Sequence, residues 1–478
     1  MGEATTRRES EQSTDAFPPD FAWGVTTSAY QIEGAETADG RGPSIWDTFS
    51  RRPGAIANGD TGAIAADHHA RFREDVALMA RLGIRAYRFS ISWPRIQPTG
   101  RGQPLQAGLD FYRHLLDALD EAAIEPIPVL YHWDLPQALE DAGGWPARDT
   151  AHRFAEYAGH VADALGARAT RWGTLNEPWC SSFLGYSAGV HAPGRREPEA
   201  AIRAVHHLLL GHGLAAAAIR AAAPGSQVGI AVNLINARAY READRDQLAD
   251  PLRRIDGLHN RLFLDPILRG VYPADVTADL AGIGKLPIED GDLELIATRL
   301  DWLGINYYAD RTFVATNGHA SGIGEVFPRV SGLADAPVVD PTDSGWPVTP
   351  SGLGDVLIRL VADHPDVPPV LITENGAAYD DPAAPDGSIP DPRRIAYLDA
   401  HIREVVRARA AGVDVQGYFV WSLLDNFEWA EGYDKRFGLV RVDFGNQARM
   451  PRASAGWYAR LIAANGRLDS RRTAPASE

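Results

Sequence analysis

Two glutamates, Glu177 and Glu374, each come directly after a short apolar run that predicts a buried β-strand. Two carboxyl groups that face each other across a bond can protonate a leaving oxygen and place negative charge against an oxocarbenium-like carbon. The pair therefore has the functional groups that cleavage of a glycosidic bond requires. Either glutamate alone could instead cap a helix or pair with an arginine, so the prediction depends on both together.

Other apolar runs also end in polar or aromatic residues. Their side chains include amides, an imidazole, phenols and indoles, and one run carries an arginine. These residues are Arg88, Tyr131, His132, Trp133, Asp134, Asn176, Asn306, Tyr307, Tyr308, Asn375 and Trp421. The carboxyl ends of parallel strands meet at one face of a barrel, so we expect these side chains to converge on one mouth.

Several of these groups are suited to binding a sugar. The apolar face of a pyranose packs against an indole, and its hydroxyls bond to amide, imidazole and carboxylate groups. The candidate stacking residues are Trp133, Trp346, Trp421 and Trp429, and the candidates for the hydroxyls are Gln31, His132, Asn176 and Glu428. Any one tryptophan could simply fill the core, and only its polar neighbours favour the binding interpretation.

The elements that must position these groups alternate along the chain. Short apolar or β-branched runs are each followed by an amphipathic helical stretch, such as Phe72–Leu82 or Leu109–Ala122, which is typical of βαβ units. The predicted strands are Ala22–Thr26, Ala86–Ile91, Glu125–Leu130, Arg171–Asn176, Gln227–Val232, Trp302–Asn306, Val370–Thr373 and Gly417–Trp421. This pattern predicts an α/β fold, a single-domain (β/α)8 TIM barrel with long βα loops.

The segment from Asp310 to Pro350 is rich in Gly, Pro, Asp and Ser. It is too irregular for a helix and longer than an ordinary connection, so we predict a long loop. Trp346 stands among polar residues in this segment, which favours a loop that forms one wall of a site.

Composition limits the class of partner. The 478 residues include 47 Lys and Arg against 63 Asp and Glu, for a formal net charge of -16. An acidic chain is a poor match for nucleic acid or an anionic membrane, because both reward a basic face. We therefore expect a small neutral substrate, no nucleic acid and no membrane partner. The oligomeric state stays open.

The termini and the single cysteine indicate location and domain limits. Residues 1–16 and 467–478 are polar and are predicted to be disordered tails on either side of a catalytic domain at 17–466. Cys180 has no cysteine to pair with, and we identify no signal sequence and no apolar run of about 18 residues. The cytoplasm is the expected location.

Seven blocks of sequence resemble the family 1 glycoside hydrolases, the β-glucosidase family. They are FAWGVTTSAYQIEGA from Phe21, YRFSISWPRI from Tyr87, HWDLP from His132, TLNEP from Thr174, GINYY from Gly304, ITENG from Ile372 and WSLLDNFEWAEGY from Trp421. They occur in the order of the family, and the resemblance extends from Phe21 to about Leu461.

The resemblance implies a retaining β-glucosidase with Glu177 as general acid/base and Glu374 as nucleophile. It also implies substrate binding by Gln31, His132, Trp133, Asn176, Tyr308, Trp346, Trp421, Glu428 and Trp429, with Arg88, Asn306 and Tyr308 supporting the nucleophile. The implied substrate is a small β-glucoside or a short β-linked oligosaccharide such as cellobiose. β-Galactosidase or β-fucosidase activity, or transglycosylation, would use the same residues.

Other classes of protein fit the sequence less well. A metal-dependent barrel enzyme would need clustered His and Asp at strand ends, whereas His68, His69, His206, His207 and His212 lie in helical stretches without a metal-binding pattern. No phosphate-binding glycine loop is present, so we expect neither a metal nor a cofactor. A sugar-binding protein without catalysis would not need both glutamates.

Overall fold

The structure is a computed structural model that describes residues 17–316 and 323–467. The two predicted tails lie outside the described residues, apart from Arg467.

The centre of the molecule is a closed barrel of eight parallel strands. In chain order the strands β1 to β8 are Ala22–Thr26, Ala86–Ser90, Glu125–Tyr131, Arg171–Asn176, Gln227–Asn233, Trp302–Asn306, Val370–Asn375 and Val415–Trp421. Each strand pairs with the next, and β1 closes the barrel by pairing with β8 from Ala22 opposite Gly417 to Thr26 opposite Trp421. The predicted (β/α)8 TIM barrel is confirmed.

A helix follows each strand and packs outside the barrel. In chain order these helices, α1 to α8, are His68–Arg81, Gln106–Glu121, Arg148–Leu165, Pro198–Ala222, Arg245–Asp256, Pro350–Asp363, Pro392–Ala410 and Ala453–Ala463. In α3 the buried residues Phe154, Tyr157, Val161 and Leu165 recur at helical spacing, and they give the helix one apolar face for the barrel.

Shorter elements lie in the connections. The short α-helices are Ala29–Ile32, Ile45–Ser50, Trp93–Ile96, Gln137–Asp141, Leu262–Arg269, Ala274–Leu280, Asp292–Ile296 and Ile323–Val326, and the π-helical turns are Cys180–Ala188 and Gly257–Arg261. The 3-10 turns are Ala38–Gly40, Ala57–Gly59, Gly166–Arg168, Glu242–Asp244 and Trp429–Glu431. A hairpin of Val440–Asp443 and Ala448–Pro451 precedes α8.

Large side chains fill the barrel interior below the mouth. Ala22, Ala86, Ile127, Trp302, Leu371 and Phe419 form one buried cluster there. Glycines make room for the two largest rings, because a Cβ at Gly24 would lie 2.4 Å from Phe419 and one at Gly229 would lie 2.3 Å from Trp302. The barrel is therefore a packed core that holds the strand ends in fixed positions.

The prediction of an irregular loop between Asp310 and Pro350 was wrong in part. The segment contains the strands Arg311–Ala315 and Leu333–Asp335 and the helix Ile323–Val326, while residues 317–322 lie outside the described part of the chain. The first of these strands pairs with Ala237–Ala239 as well as with its own return strand. A partner so distant in sequence leaves no local pattern, and for that reason sequence reasoning missed the small sheet.

The expectation that no long apolar segment occurs also needs correction. Helix α4, Pro198–Ala222, is long and apolar enough to span a membrane by length and composition, but 78% of its most apolar stretch is buried within the protein. The helix packs as a core element between α3 and the barrel, which explains its composition.

Candidate active site

The predicted residues gather around one pocket of about 650 Å³ at the carboxyl ends of the strands. Ten of them line it: His132, Trp133, Glu177, Asn306, Tyr308, Trp346, Glu374, Trp421, Glu428 and Trp429. Gln31, Arg88 and Asn176 lie directly behind this lining and hydrogen-bond to it. The structure therefore brings these residues together at one site. Tyr131, Asp134, Tyr307 and Asn375, which were also expected at the mouth, do not line the pocket, so that part of the prediction was wrong.

Glu374, near the carboxyl end of β7, accepts hydrogen bonds on both carboxyl oxygens. The Arg88 guanidinium donates to Oε1 at 2.8 Å, and the Tyr308 hydroxyl donates to Oε2 at 2.7 Å. Arg88 also donates to Asn176 Oδ1 at 2.6 Å and to Thr26 Oγ1 at 3.1 Å. These contacts fix the guanidinium, so that a buried positive charge holds the carboxylate in one orientation.

Glu177 follows β4 and has a different set of donors. Asn306 donates from Nδ2 to Oε1 at 2.7 Å, and the Cys180 thiol lies 3.0 Å from Oε2. The same Asn306 amide donates to Asn176 Oδ1 at 3.0 Å. Sequence reasoning assigned Asn306 to the support of Glu374, but its amide nitrogen also donates to Glu177. The amide acts on both carboxyls, because it opposes the rise in the pKa of Glu374 as well.

The two carboxyls differ in their protonation. Burial, together with the charge of Glu374, raises the pKa of Glu177 to about 7. Burial also raises the pKa of Glu374, but Arg88 and Tyr308 oppose that rise by stabilising its charged form. These surroundings favour a proton on Glu177 and a negative charge on Glu374.

Gln31 and Glu428 form one side of the pocket. The Gln31 amide donates to Glu428 Oε2 at 3.3 Å and is itself fixed by Asn426 Oδ1 and the Phe427 carbonyl, each at 3.0 Å. Burial, reinforced by the charge of Glu374, raises the pKa of Glu428 to about 8.

Glu428 has no ion pair with Lys435 or Arg436, the cations that follow it in the chain. Lys435 lies 3.8 Å from Glu431, and Arg436 bonds to Asp425 at 2.9 Å. The Glu428 carboxyl therefore faces the pocket as a hydrogen-bonding group.

Aromatic rings form the remaining walls. Trp133 and Trp429 pack with ring centroids 4.6 Å apart, and His132 lies 5.8 Å from Trp421 in a stacked arrangement. Trp133, Glu177 and Trp429 have positive φ angles of 77°, 46° and 53°. Non-glycine residues rarely adopt this conformation, and where they do the surrounding structure must hold them in place.

Trp346 lies at the outer edge of the pocket. Its side chain is 40% exposed, and its ring is 5.4 Å from that of Tyr308 and 6.2 Å from that of Phe437. The long loop therefore does contribute to the wall, as the polar neighbours of this tryptophan predicted.

Sequence reasoning missed other residues of the pocket lining. Trp179, Cys180, Asn233 and His259 all face the cavity. Cys180 stands three residues after Glu177, a spacing that brings side chains together in a helical turn and could have drawn attention to it. Asn233 is the last residue of β5 and directly follows the predicted strand Gln227–Val232, so it had the same strand-end signal as Asn306. His259 lies in the π-helical turn Gly257–Arg261 and leaves no comparable signal.

The histidines considered as metal ligands have ordinary partners. His68 Nδ1 bonds to Asp75 at 2.8 Å, His206 Nε2 to Asp292 at 2.8 Å and His212 Nδ1 to Thr174 at 2.7 Å. Within residues 17–316 and 323–467, no group of three or more His, Cys, Asp or Glu side chains is arranged to hold a metal ion.

Comparison with known proteins agrees with this geometry. The model of glycosyl hydrolase family 1 matches residues 13–467. Thermostable β-glucosidase B of Thermobispora bispora is 50% identical over 94% of this chain and 91% of its own length. A bifunctional β-D-glucosidase/β-D-fucosidase of Bifidobacterium breve is 46% identical over 94% of this chain and 99% of its own length.

Solved structures show the same relationship. The psychrophilic β-glucosidase of Micrococcus antarcticus superposes with a TM-score of 0.89 at 48% identity, covering 94% of this chain and 98% of that one. The β-glucosidase of Thermotoga maritima in complex with deoxynojirimycin gives a TM-score of 0.88 at 42% identity, covering 95% and 100%. With its barrel, its paired carboxyls and these relatives, the chain belongs to glycosyl hydrolase family 1.

Proposed function

We propose that this enzyme hydrolyses terminal non-reducing β-D-glucosyl residues in two displacements, with Glu374 as nucleophile and Glu177 as general acid/base. The observation that supports these roles is the unequal environment of the two carboxyls. Glu374 has a charged donor, Arg88, at 2.8 Å, whereas Glu177 has only neutral donors and a pKa of about 7.

In the first displacement a Glu374 oxygen attacks the anomeric carbon and forms a covalent glycosyl ester. The bond from that carbon to the leaving oxygen breaks, its electron pair stays on the oxygen, and Glu177 supplies the proton. Esterification removes the negative charge of Glu374, which is one cause of the raised pKa of Glu177. The pKa of Glu177 therefore falls once the leaving group has departed.

In the second displacement Glu177, now ionised, takes a proton from water as the water oxygen attacks the anomeric carbon. Glu374 leaves as a carboxylate, and the sugar is released with its β configuration retained. An alcohol in place of water would give transglycosylation by the same residues. Retaining chemistry requires carboxyls about 5 to 5.5 Å apart, which stays a prediction for this pair.

The substrate we propose is a small β-glucoside or cellobiose, with β-fucoside or β-galactoside activity as the alternative. Glu428 and Gln31 would receive the outer hydroxyls of the sugar, and Trp421 would lie beneath the ring. A 6-phosphate would meet the Glu428 carboxyl, which offers no positive charge in its neutral form and repels the phosphate in its ionised form, so we infer a free 6-hydroxyl. We further propose that the enzyme works in the cytoplasm, because its single cysteine requires no oxidising compartment.

Labelling with a 2-deoxy-2-fluoro β-glucoside bearing a good leaving group tests the central assignment. The fluorine slows both displacements, and the leaving group keeps the first fast enough for the ester to accumulate. Mass spectrometry of the digested protein should place the adduct on the peptide that contains Glu374. An adduct on any other peptide, or a product of inverted configuration, would falsify the mechanism.

A panel of nitrophenyl glycosides then ranks the sugars. We expect β-glucoside to be cleaved faster than α-glucoside and faster than 6-phospho-β-glucoside. Faster cleavage of the phosphorylated substrate would overturn the role given to Glu428 but would leave the assignment of Glu374 standing.

A further inference from the structure

The only cysteine of the chain touches the proposed acid/base. Cys180 begins the π-helical turn Cys180–Ala188, and its side chain lines the pocket while its exposed fraction is only 6%. Its sulfur lies 3.0 Å from Glu177 Oε2, the carboxyl oxygen that Asn306 does not contact. Each oxygen of the Glu177 carboxyl therefore has its own neutral donor.

Asn233 determines the direction of this contact. Its amide nitrogen lies 3.6 Å from the Cys180 sulfur and 3.2 Å from His259 Nε2. Burial lowers the pKa of His259 to about 3, so its ring is neutral. In the tautomer that carries the ring proton on Nδ1, Nε2 accepts a hydrogen bond from the amide. The second amide hydrogen then points to the sulfur, which leaves the thiol hydrogen to point at Glu177.

We propose that Cys180 is a positioning residue for the acid/base carboxyl, holding Glu177 Oε2 through a thiol hydrogen bond whose direction Asn233 sets. This inference rests on the proposed role of Glu177. Burial and the nearby Glu177 carboxyl keep the thiol protonated by raising its pKa well above the ordinary value. Cys180 therefore acts as a donor and not as a nucleophile or a second acid.

A thiol is well suited to this position. The carboxyl must be ionised in one step and protonated in the other, and a strong donor at Oε2 would favour the ionised form throughout. A thiol is a weak donor and can also accept weakly, so it orients the carboxyl in both states. The other groups that act on the charge of Glu177 are Glu374, Arg88, Asn306, Tyr308 and Glu428, and they remain unchanged when only the thiol is altered.

The test is the pH dependence of kcat/KM for Cys180→Ala, measured with glucosides of poor and of good leaving group. Loss of the donor should raise the pKa of Glu177. The alkaline limb, which we expect near pH 7 in the wild type, should then move upward by roughly half a unit to one unit. The kcat for poor leaving groups should fall about three- to tenfold, the range expected for one neutral hydrogen bond. Good leaving groups need little protonation, so their glycosylation rate should barely change.

Cys180→Ser and Ser181→Ala are the matched variants. The serine hydroxyl restores a donor, so its alkaline limb should return to the wild-type position or below it. Ser181 lies in the same turn and its side chain does not contact Glu177, so Ser181→Ala should leave the alkaline limb in place. Thermal unfolding checks that each variant is folded, and Cys180→Val, which fills the space without a donor, replaces the alanine variant if that one is unstable.

The proposal would be overturned if Cys180→Ala or Cys180→Val kept the alkaline limb and the leaving-group dependence of the wild type. It would also be overturned if Cys180→Ser were as impaired as Cys180→Ala. Two controls separate this proposal from the proposed function: the fluorosugar should still label Glu374, and added azide should restore the activity of Glu177→Ala on activated aryl glucosides. If both controls hold, either result would remove the role of Cys180 and leave the proposed function intact. Failure of the label or of the rescue would instead overturn the function itself.

Discussion

The surroundings of Glu374 and of Glu177 differ although the two residues are chemically identical and lie in one pocket. Glu374 accepts from a guanidinium and a phenol, and Glu177 accepts from an amide and a thiol. Their exposed fractions are 3% and 5%, so burial alone cannot separate their roles. The charge of the donors decides which carboxyl is held ionised and which one can carry a proton.

Removing the proposed acid/base should have the largest effect. With Glu177→Ala, turnover of cellobiose should fall about 10²- to 10⁴-fold, because its leaving group must be protonated. Activated aryl glucosides should still form the covalent ester, and steady-state assays with added azide should recover their rate, because azide needs no general base. Unchanged activity towards cellobiose would show that Glu177 is not the carboxyl that supplies the proton.

Changing the charged donor should have the next largest effect. Lysine at position 88 keeps the charge but cannot donate to Glu374 and Asn176 in the planar geometry of the guanidinium. Loss of one charge-assisted hydrogen bond predicts a fall in kcat/KM of about 10- to 100-fold for Arg88→Lys.

The pH profile of Arg88→Lys shows in which direction the pKa of Glu374 moves. With weaker support the pKa of Glu374 rises, and a protonated Glu374 cannot attack, so the acid limb of kcat/KM should move towards neutral pH. Thr26→Val removes another acceptor of Arg88 but leaves its bond to Glu374, and it should keep the wild-type acid limb. An unmoved acid limb in Arg88→Lys would contradict the role given to the guanidinium.

Trp346→Ala should have the smallest effect. The tryptophan packs against Tyr308 and Phe437 at the outer edge and has no hydrogen bond to either carboxyl. We expect KM for aryl glucosides to rise a few-fold, about the contribution of one aromatic contact, with both pH limbs in place. A shift of the acid limb would mean that Trp346 acts on Glu374 through Tyr308.

Much of this arrangement could be predicted from the sequence because barrel strands carry a local signal. Strands such as Arg171–Asn176 and Trp302–Asn306 begin and end where their apolar runs predict. The polar residue at the end of each run then faces the mouth as a consequence of the topology. Fold and site were predictable together for this reason.

What could not be predicted depends on contacts between distant segments. The strand Arg311–Ala315 pairs with the distant segment Ala237–Ala239 as well as with Leu333–Asp335. Cys180 contacts Glu177, three residues before it, and also Asn233, which in turn contacts His259. No spacing in the chain links Cys180 to Asn233 or to His259. The donor on each carboxyl oxygen is therefore visible only in three dimensions.

The positive φ angles of Trp133, Glu177 and Trp429 have a consequence for heat resistance. Such a conformation costs a non-glycine residue on the order of 1–3 kcal/mol, and glycine would adopt it without that cost. A substitution by glycine at these positions would relax the backbone and at the same time remove a side chain that the pocket needs. Selection for thermal stability and selection for turnover therefore act in opposite directions at these three positions.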